Sequence, residues 1–160
     1  MFFFGVFQIR KNCLGPKNLL VALGYEELAY ATYVYEYSTG RFDEAKDHAE
    51  KSLDIMTKLL PNNHLLLASS QRVLALILEE IAIDHVSKDE SRVLLQRAEE
   101  LHLSALSLAV EAFGEMNVQT AKHYGNLGRL YQVKTEWTKQ LKNLLRSKFR
   151  KNIFVRIALL

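Results

Sequence analysis

Tyr124, Leu127, Gly128 and Tyr131 constrain the fold of this chain more than any other group, because their spacing places them on one face of an α-helix. Large residues three and seven positions apart make that face a packing surface, and the glycine leaves room for a partner helix to approach closely. The partner's counterpart stands earlier, in Gly40-x-Phe42-x-x-Ala45-x-x-x-Ala49-x-x-Ser52-Leu53. Gly40 permits a tight turn, Phe42 plugs the helix pair and Ala45 occupies the close crossing. The pattern then repeats: Ala45 aligns with Ala98, Leu53 with Leu106, Leu60 with Phe113, Ala68 with Ala121, Leu74 with Leu127 and Leu78 with Tyr131, all at one offset. A single helix hairpin cannot bury its apolar face alone, so a repeated one is expected to stack.

The two halves resemble the first and second helices of the tetratricopeptide repeat, although the offset exceeds the usual period of about 34 residues. We assign the excess to a lengthened second helix in each unit and to an inserted loop near His85-Val86-Ser87-Lys88-Asp89. Long second helices of this kind resemble those of the kinesin light chain repeats. No stretch sustains the alternation that marks a strand. The expected fold class is all-α: stacked antiparallel helix hairpins forming a tetratricopeptide-repeat solenoid.

Five helices are expected. The first runs from Glu26 to Ser38, with Tyr30, Tyr33 and Tyr37 at helical spacing; Asp43 caps a second that continues to Leu60 and stops at Pro61. The third spans Leu65 to Ile83. Ser87, with Glu90 three residues on, has the form of a capping box and opens a fourth helix ending near Phe113-Gly114. Asn117 caps the fifth. With two prolines in 160 residues and an apolar fraction of 49%, long helices and a core are both affordable.

Charge divides the chain differently from the repeats. Val133 to Leu160 holds eight basic residues and one acid, Glu136, so the first 132 residues carry −4 within an overall +3. We therefore expect three regions: a disordered leader over residues 1–18, helical repeats over 19–132 and a basic amphipathic tail over 133–160, a divergent or truncated last repeat. In the tail, Trp137, Leu141, Leu144, Lys148 and Phe149 form a stripe suited to a membrane surface, calmodulin or nucleic acid, the alternative function to be weighed against the repeats. The single cysteine, Cys13, excludes an internal disulfide and fits a reducing compartment. The opening run Phe2 to Phe7 is too short for a signal-peptide core and follows no basic residue, and no segment approaches the roughly 20 apolar residues of a membrane span. A cytoplasmic or nuclear location is expected.

Catalysis finds no constellation. Glu79-Glu80 and Glu99-Glu100 are adjacent on helices, point about 100° apart and are expected on solvated faces. The five histidines, His48, His64, His85, His102 and His123, show no metal-ligand spacing. No enzyme activity, cofactor, metal or small-molecule substrate is expected. Binding is the expected function, along the face that first helices present in such stacks. Opposite the Tyr124/Leu127/Leu130/Tyr131 stripe stand Lys122, Asn126 and Arg129, and Arg72, Tyr30 and Tyr37 extend this peptide-binding groove onto earlier helices. Its cations suit a carboxylate.

Three longer runs carry a further resemblance: Ala22 to Tyr35, His64 to Asp84 without Gln71 to Ala75, and Asn117 to Gln132. They closely resemble the amyloid protein-binding family of tetratricopeptide proteins over roughly Leu19 to Gln132. That resemblance implies a scaffold recognising peptide signals, associated with microtubules and with the amyloid precursor protein's cytoplasmic tail, and serving as substrate receptor of a cullin-RING ubiquitin ligase. The likeness ends where Gln140 replaces the small crossing residue of the next second helix, so a chain shortened relative to the family is expected.

Overall fold

Three polar caps set the frame of the fold. Asn18 Oδ1 accepts from the Leu20 N–H at 2.9 Å, Ser87 Oγ from the Glu90 N–H at 3.5 Å and Asn117 Oδ1 from the Gln119 N–H at 2.8 Å, each satisfying an amide that a helix start leaves unpaired. The computed structural model describes residues 2–84 and 87–157, with side chains described for 5–84, 87–136, 138 and 139. Its elements are α1 (Phe2–Leu14), α2 (Leu19–Glu36), α3 (Asp43–Leu59), α4 (Leu65–Asp84), α5 (Lys88–Phe113) and α6 (Val118–Ile157). Gly40 and Gly114, at φ 69° and 79°, make the turns after α2 and α5. The fold is all-α, with α2/α3 and α4/α5 as packed hairpins and α3 against α4.

The chain divides into two units, Met1–Leu127 and Gly128–Leu160. In the first, Ala22, Met56, Leu67, Ala68, Ala105 and Leu108 form one core cluster drawing on α2, α3, α4 and α5. Alanines at the crossings let the backbones approach: Ser52 Oγ on α3 donates to the Ala22 carbonyl on α2 at 2.8 Å, and Ser70 Oγ on α4 reaches Ser52 Oγ at 3.2 Å. Phe42 is buried at the α2/α3 turn, its ring 5.7 Å from Tyr33 and 6.3 Å from Tyr37. The second unit continues α6, where Thr135 and Thr138 hydroxyls donate to the carbonyls of Tyr131 and Lys134.

The leader departs from expectation. Residues expected to be disordered form α1, because Phe7 is an anchor: its ring lies 4.6 Å from that of Tyr25 and in a cluster with Val21 and Leu28. Arg10 pairs with Glu27 at 3.6 Å. The close helix approach therefore falls at Gly24, where an added Cβ would meet Phe7 Cδ2 at 2.8 Å. It does not fall at Gly128, where an added Cβ meets nothing within 4 Å.

Four further expectations change. α2 begins at Leu19, seven residues before Glu26, because Asn18 caps it. α3 is capped by the Phe42 backbone, and Asp43 is its first residue, with no side-chain cap bond. α5 opens at Lys88, inside the loop expected near 85–89, and the extra length of the second hairpin lies in α5, 26 residues against 17 in α3. The α6 packing stripe is Thr120, His123, Leu127 and Leu130, all buried, whereas Tyr124 and Tyr131 are 48% and 45% exposed. α6 runs unbroken from Val118 to Ile157, so among the described residues no returning helix covers the Tyr124 face. The tail stripe from Trp137 to Phe149 lies outside the residues with described side chains.

Glu79 and Glu80 also depart from expectation, being buried. Glu79 on α4 meets His102 Nε2 on α5 at 2.7 Å, with both side chains at most 1% exposed, and the Tyr33 hydroxyl donates to Glu80 at 3.5 Å. A buried carboxylate requires such partners, which local sequence does not reveal.

Two predictions follow from the packing. Gly128→Ala should stabilise the chain by about 0.5–1 kcal/mol in a denaturant melt, since it relieves glycine's helix cost in open space; Gly24→Leu should instead strip α1 of its amide-exchange protection. Replacing His102 with Ala should cost about 3–5 kcal/mol, because it strands a buried acid; a loss under about 1 kcal/mol would show that the pair carries little of the hairpin's stability.

Candidate functional site

First helices α2 and α4 lie side by side, tied at two levels. The Ser69 hydroxyl on α4 donates to Glu26 on α2, and two turns further along Tyr33 reaches Glu80. Beyond α4, the start of α6 opens a cleft of about 490 Å³ lined by Leu65, Leu66, Ala68, Ser69 and Arg72, by Phe113, and by Gln119, Lys122 and His123. Its α4 side carries Arg72 beside apolar residues, and its α6 side carries Lys122 and His123. Thr120 Oγ1 fixes the start of α6, donating to the Gly114 carbonyl at 2.7 Å.

Arg72 and Lys122, both expected from the sequence, face this cleft together. Asn126 is half-buried and is not among its lining residues, and Arg129, also half-buried, belongs to the second unit. Tyr30 and Tyr37 belong to a separate aromatic row, in which Tyr33 lies 6.2 Å from Tyr30 and 5.8 Å from Tyr37. Both are about half exposed.

The sequence reading missed His123, Ser69 and Glu26. His123 is 8% exposed, lines the cleft and, among the described residues, has no hydrogen-bond partner at Nδ1. Burial holds its pKa below the usual 6.5, and Arg72, His102 and Lys122 add to the shift. Glu26 behaves oppositely: burial raises its pKa, against the Ser69 hydrogen bond and the Arg72 charge. One signal was available for His123. It stands three residues after Thr120 and four before Leu127, so placing the stripe one residue earlier than Tyr124 brings it inward.

Residues 34–65 match the family model described as tetratricopeptide repeat. That segment falls on the α2/α3 hairpin and the start of α4, so the matched stretch carries a tetratricopeptide-repeat signature on the all-α fold already described. It is 62% identical over 125 residues to amyloid protein-binding protein 2 of Rattus norvegicus, and equally to that of Mus musculus. The match covers 78% of this chain and 21% of each relative, so the chain spans about a fifth of their length.

The shifted histidines generate a pH prediction. His48, on α3, is likewise held below 6.5, chiefly by burial. A base with a depressed folded pKa contributes stability above its unfolded value that is lost as pH falls through the folded one. Thermal unfolding should therefore lose stability as pH falls below about 6.5, the ordinary histidine pKa, and the His123→Gln and His48→Gln double variant should flatten that slope. A slope unchanged in the double variant would assign the loss to other groups.

Proposed function

We propose that this chain is a non-catalytic protein-interaction module that takes a peptide segment of a partner along its first-helix face, with an acidic group of that segment held at Arg72 and Lys122. The observation that supports it is the α4/α6 cleft, whose lining combines two cations, Arg72 and Lys122, with apolar Leu65, Leu66 and Phe113. Such a site offers charge-assisted bonds to a carboxylate and an apolar wall for a neighbouring side chain. Helix-hairpin stacks use this face as their binding surface.

The relatives' name speaks of binding amyloid protein. By extension, the finer reading is a module for peptide signals in substrates or cargo, such as the amyloid precursor protein's tail. In that reading it acts in the cytoplasm beside cullin-RING ligase subunits and microtubules.

Heptapeptides selected on this chain from a random display library test the groove. Selected peptides should carry an acid beside an aliphatic residue, and Arg72→Ala or Lys122→Ala should weaken them roughly tenfold or more without changing helicity, as expected for charge-assisted bonds of about 1.5–3 kcal/mol. Glu26→Gln should strengthen the same peptides by removing a competing acid near Arg72. Binding that survives neutralisation of the peptide's acids would overturn the carboxylate reading.

A further inference from the structure

His123 occupies an unusual position for a buried side chain. It is more than nine-tenths buried, yet it lines an open cleft, and its Nδ1 has no hydrogen-bond partner among the described residues. A buried ring nitrogen without a partner costs stability unless something outside the fold completes it. Structure alone gives it a purpose only if a ligand or a proton arrives there.

The charges facing His123 decide which. Arg72 faces it from α4, His102 from α5 and Lys122 from its own helix, and Glu26 on α2 faces Arg72 in turn. His102 is itself engaged with Glu79 at 2.7 Å. The surroundings are thus cationic, and they oppose a third positive charge while the cleft is empty. An anion seated between Arg72 and Lys122 reverses that sign: it screens both cations and favours a charged imidazole.

We propose that the cleft captures an acidic peptide group together with a proton on His123, so that binding tightens as pH falls below neutral. This rests on the peptide-groove reading above. The proton comes from solvent and is held at the imidazole, which then donates to the bound carboxylate; no bond is made or broken in the ligand. By linkage, a group that gains a proton on binding makes affinity rise as pH falls toward the pKa in the free protein. The structure's device is therefore a groove that is weakly occupied at neutral pH and more strongly occupied in a mildly acidic setting.

The test follows His123 by histidine-selective NMR of the full chain, titrated with N-acetylated, C-amidated leucyl-aspartyl-leucine and with its asparagine counterpart. The aspartyl peptide should move the His123 resonance, raise its titration midpoint by about one unit and bind several-fold more tightly at pH 5.5 than at pH 7.5, a factor of about ten being the limit that one unit allows. The asparagine peptide should do none of these. His123→Gln should abolish the pH dependence of aspartyl-peptide binding, with circular dichroism checking that the chain stays folded across the range. Aspartyl-peptide binding that depends on Arg72 but is independent of pH would overturn the proton linkage and leave the groove intact. Absence of aspartyl-peptide binding at every pH would overturn the acidic groove itself, and the linkage with it.

Discussion

Close approach of helix backbones at alanine is the constraint on which the rest of the first unit depends. Ala22, Ala45, Ala98, Ala105 and Ala109 are fully buried, and no larger side chain fits at a crossing where Ser52 Oγ reaches the Ala22 carbonyl. That spacing brings α2, α3, α4 and α5 around the cluster of Met56, Leu67 and Leu108. It also sets α2 beside α4, which lets Ser69 reach Glu26 and Tyr33 reach Glu80. Removal of the small residues would separate the helices and dissolve the face on which the cleft is built.

Features with a local cause were open to sequence reasoning. The Ser87 cap, the Asn117 cap, the Gly114 stop and the buried Phe42 plug each depend on neighbours within a few residues, and each is present. Features with a distant cause were not. Phe7 becomes an anchor only because Gly24 and Tyr25 stand across from it, and Glu79 can be buried only because α5 delivers His102. Tyr124 looked like packing because a hairpin normally returns over that face; α6 continues instead, and the inward stripe passes through Thr120 and His123.

The site divides along the same line. Arg72 and Lys122 could be placed on a shared face from helical period and hairpin order alone. Ser69 and Glu26 could not, because their connection is a bond between two first helices more than forty residues apart in sequence. Tyr30 and Tyr37 were grouped with the cations by the same reasoning, but the fold gives them to the aromatic row at the α2/α3 turn. Helical period fixes which face a residue occupies, and packing decides how far along that face two residues stand.

Electrostatics then narrows what such a cleft accepts. Arg72 and Lys122 are a cationic spot on a stretch of 132 residues whose net charge is −4. A polyanion approaching the spot meets long-range repulsion from that stretch, screened only beyond about 8–10 Å at ordinary salt. A segment with a single acid flanked by apolar residues meets little of it and can use Leu65, Leu66 and Phe113. Glu26 adds an acid beside Arg72, whose charge lowers the Glu26 pKa against the larger effect of burial. In the proposed reading such a groove favours isolated acids in apolar surroundings, with the charge of the body around it contributing to selectivity alongside the cations within it.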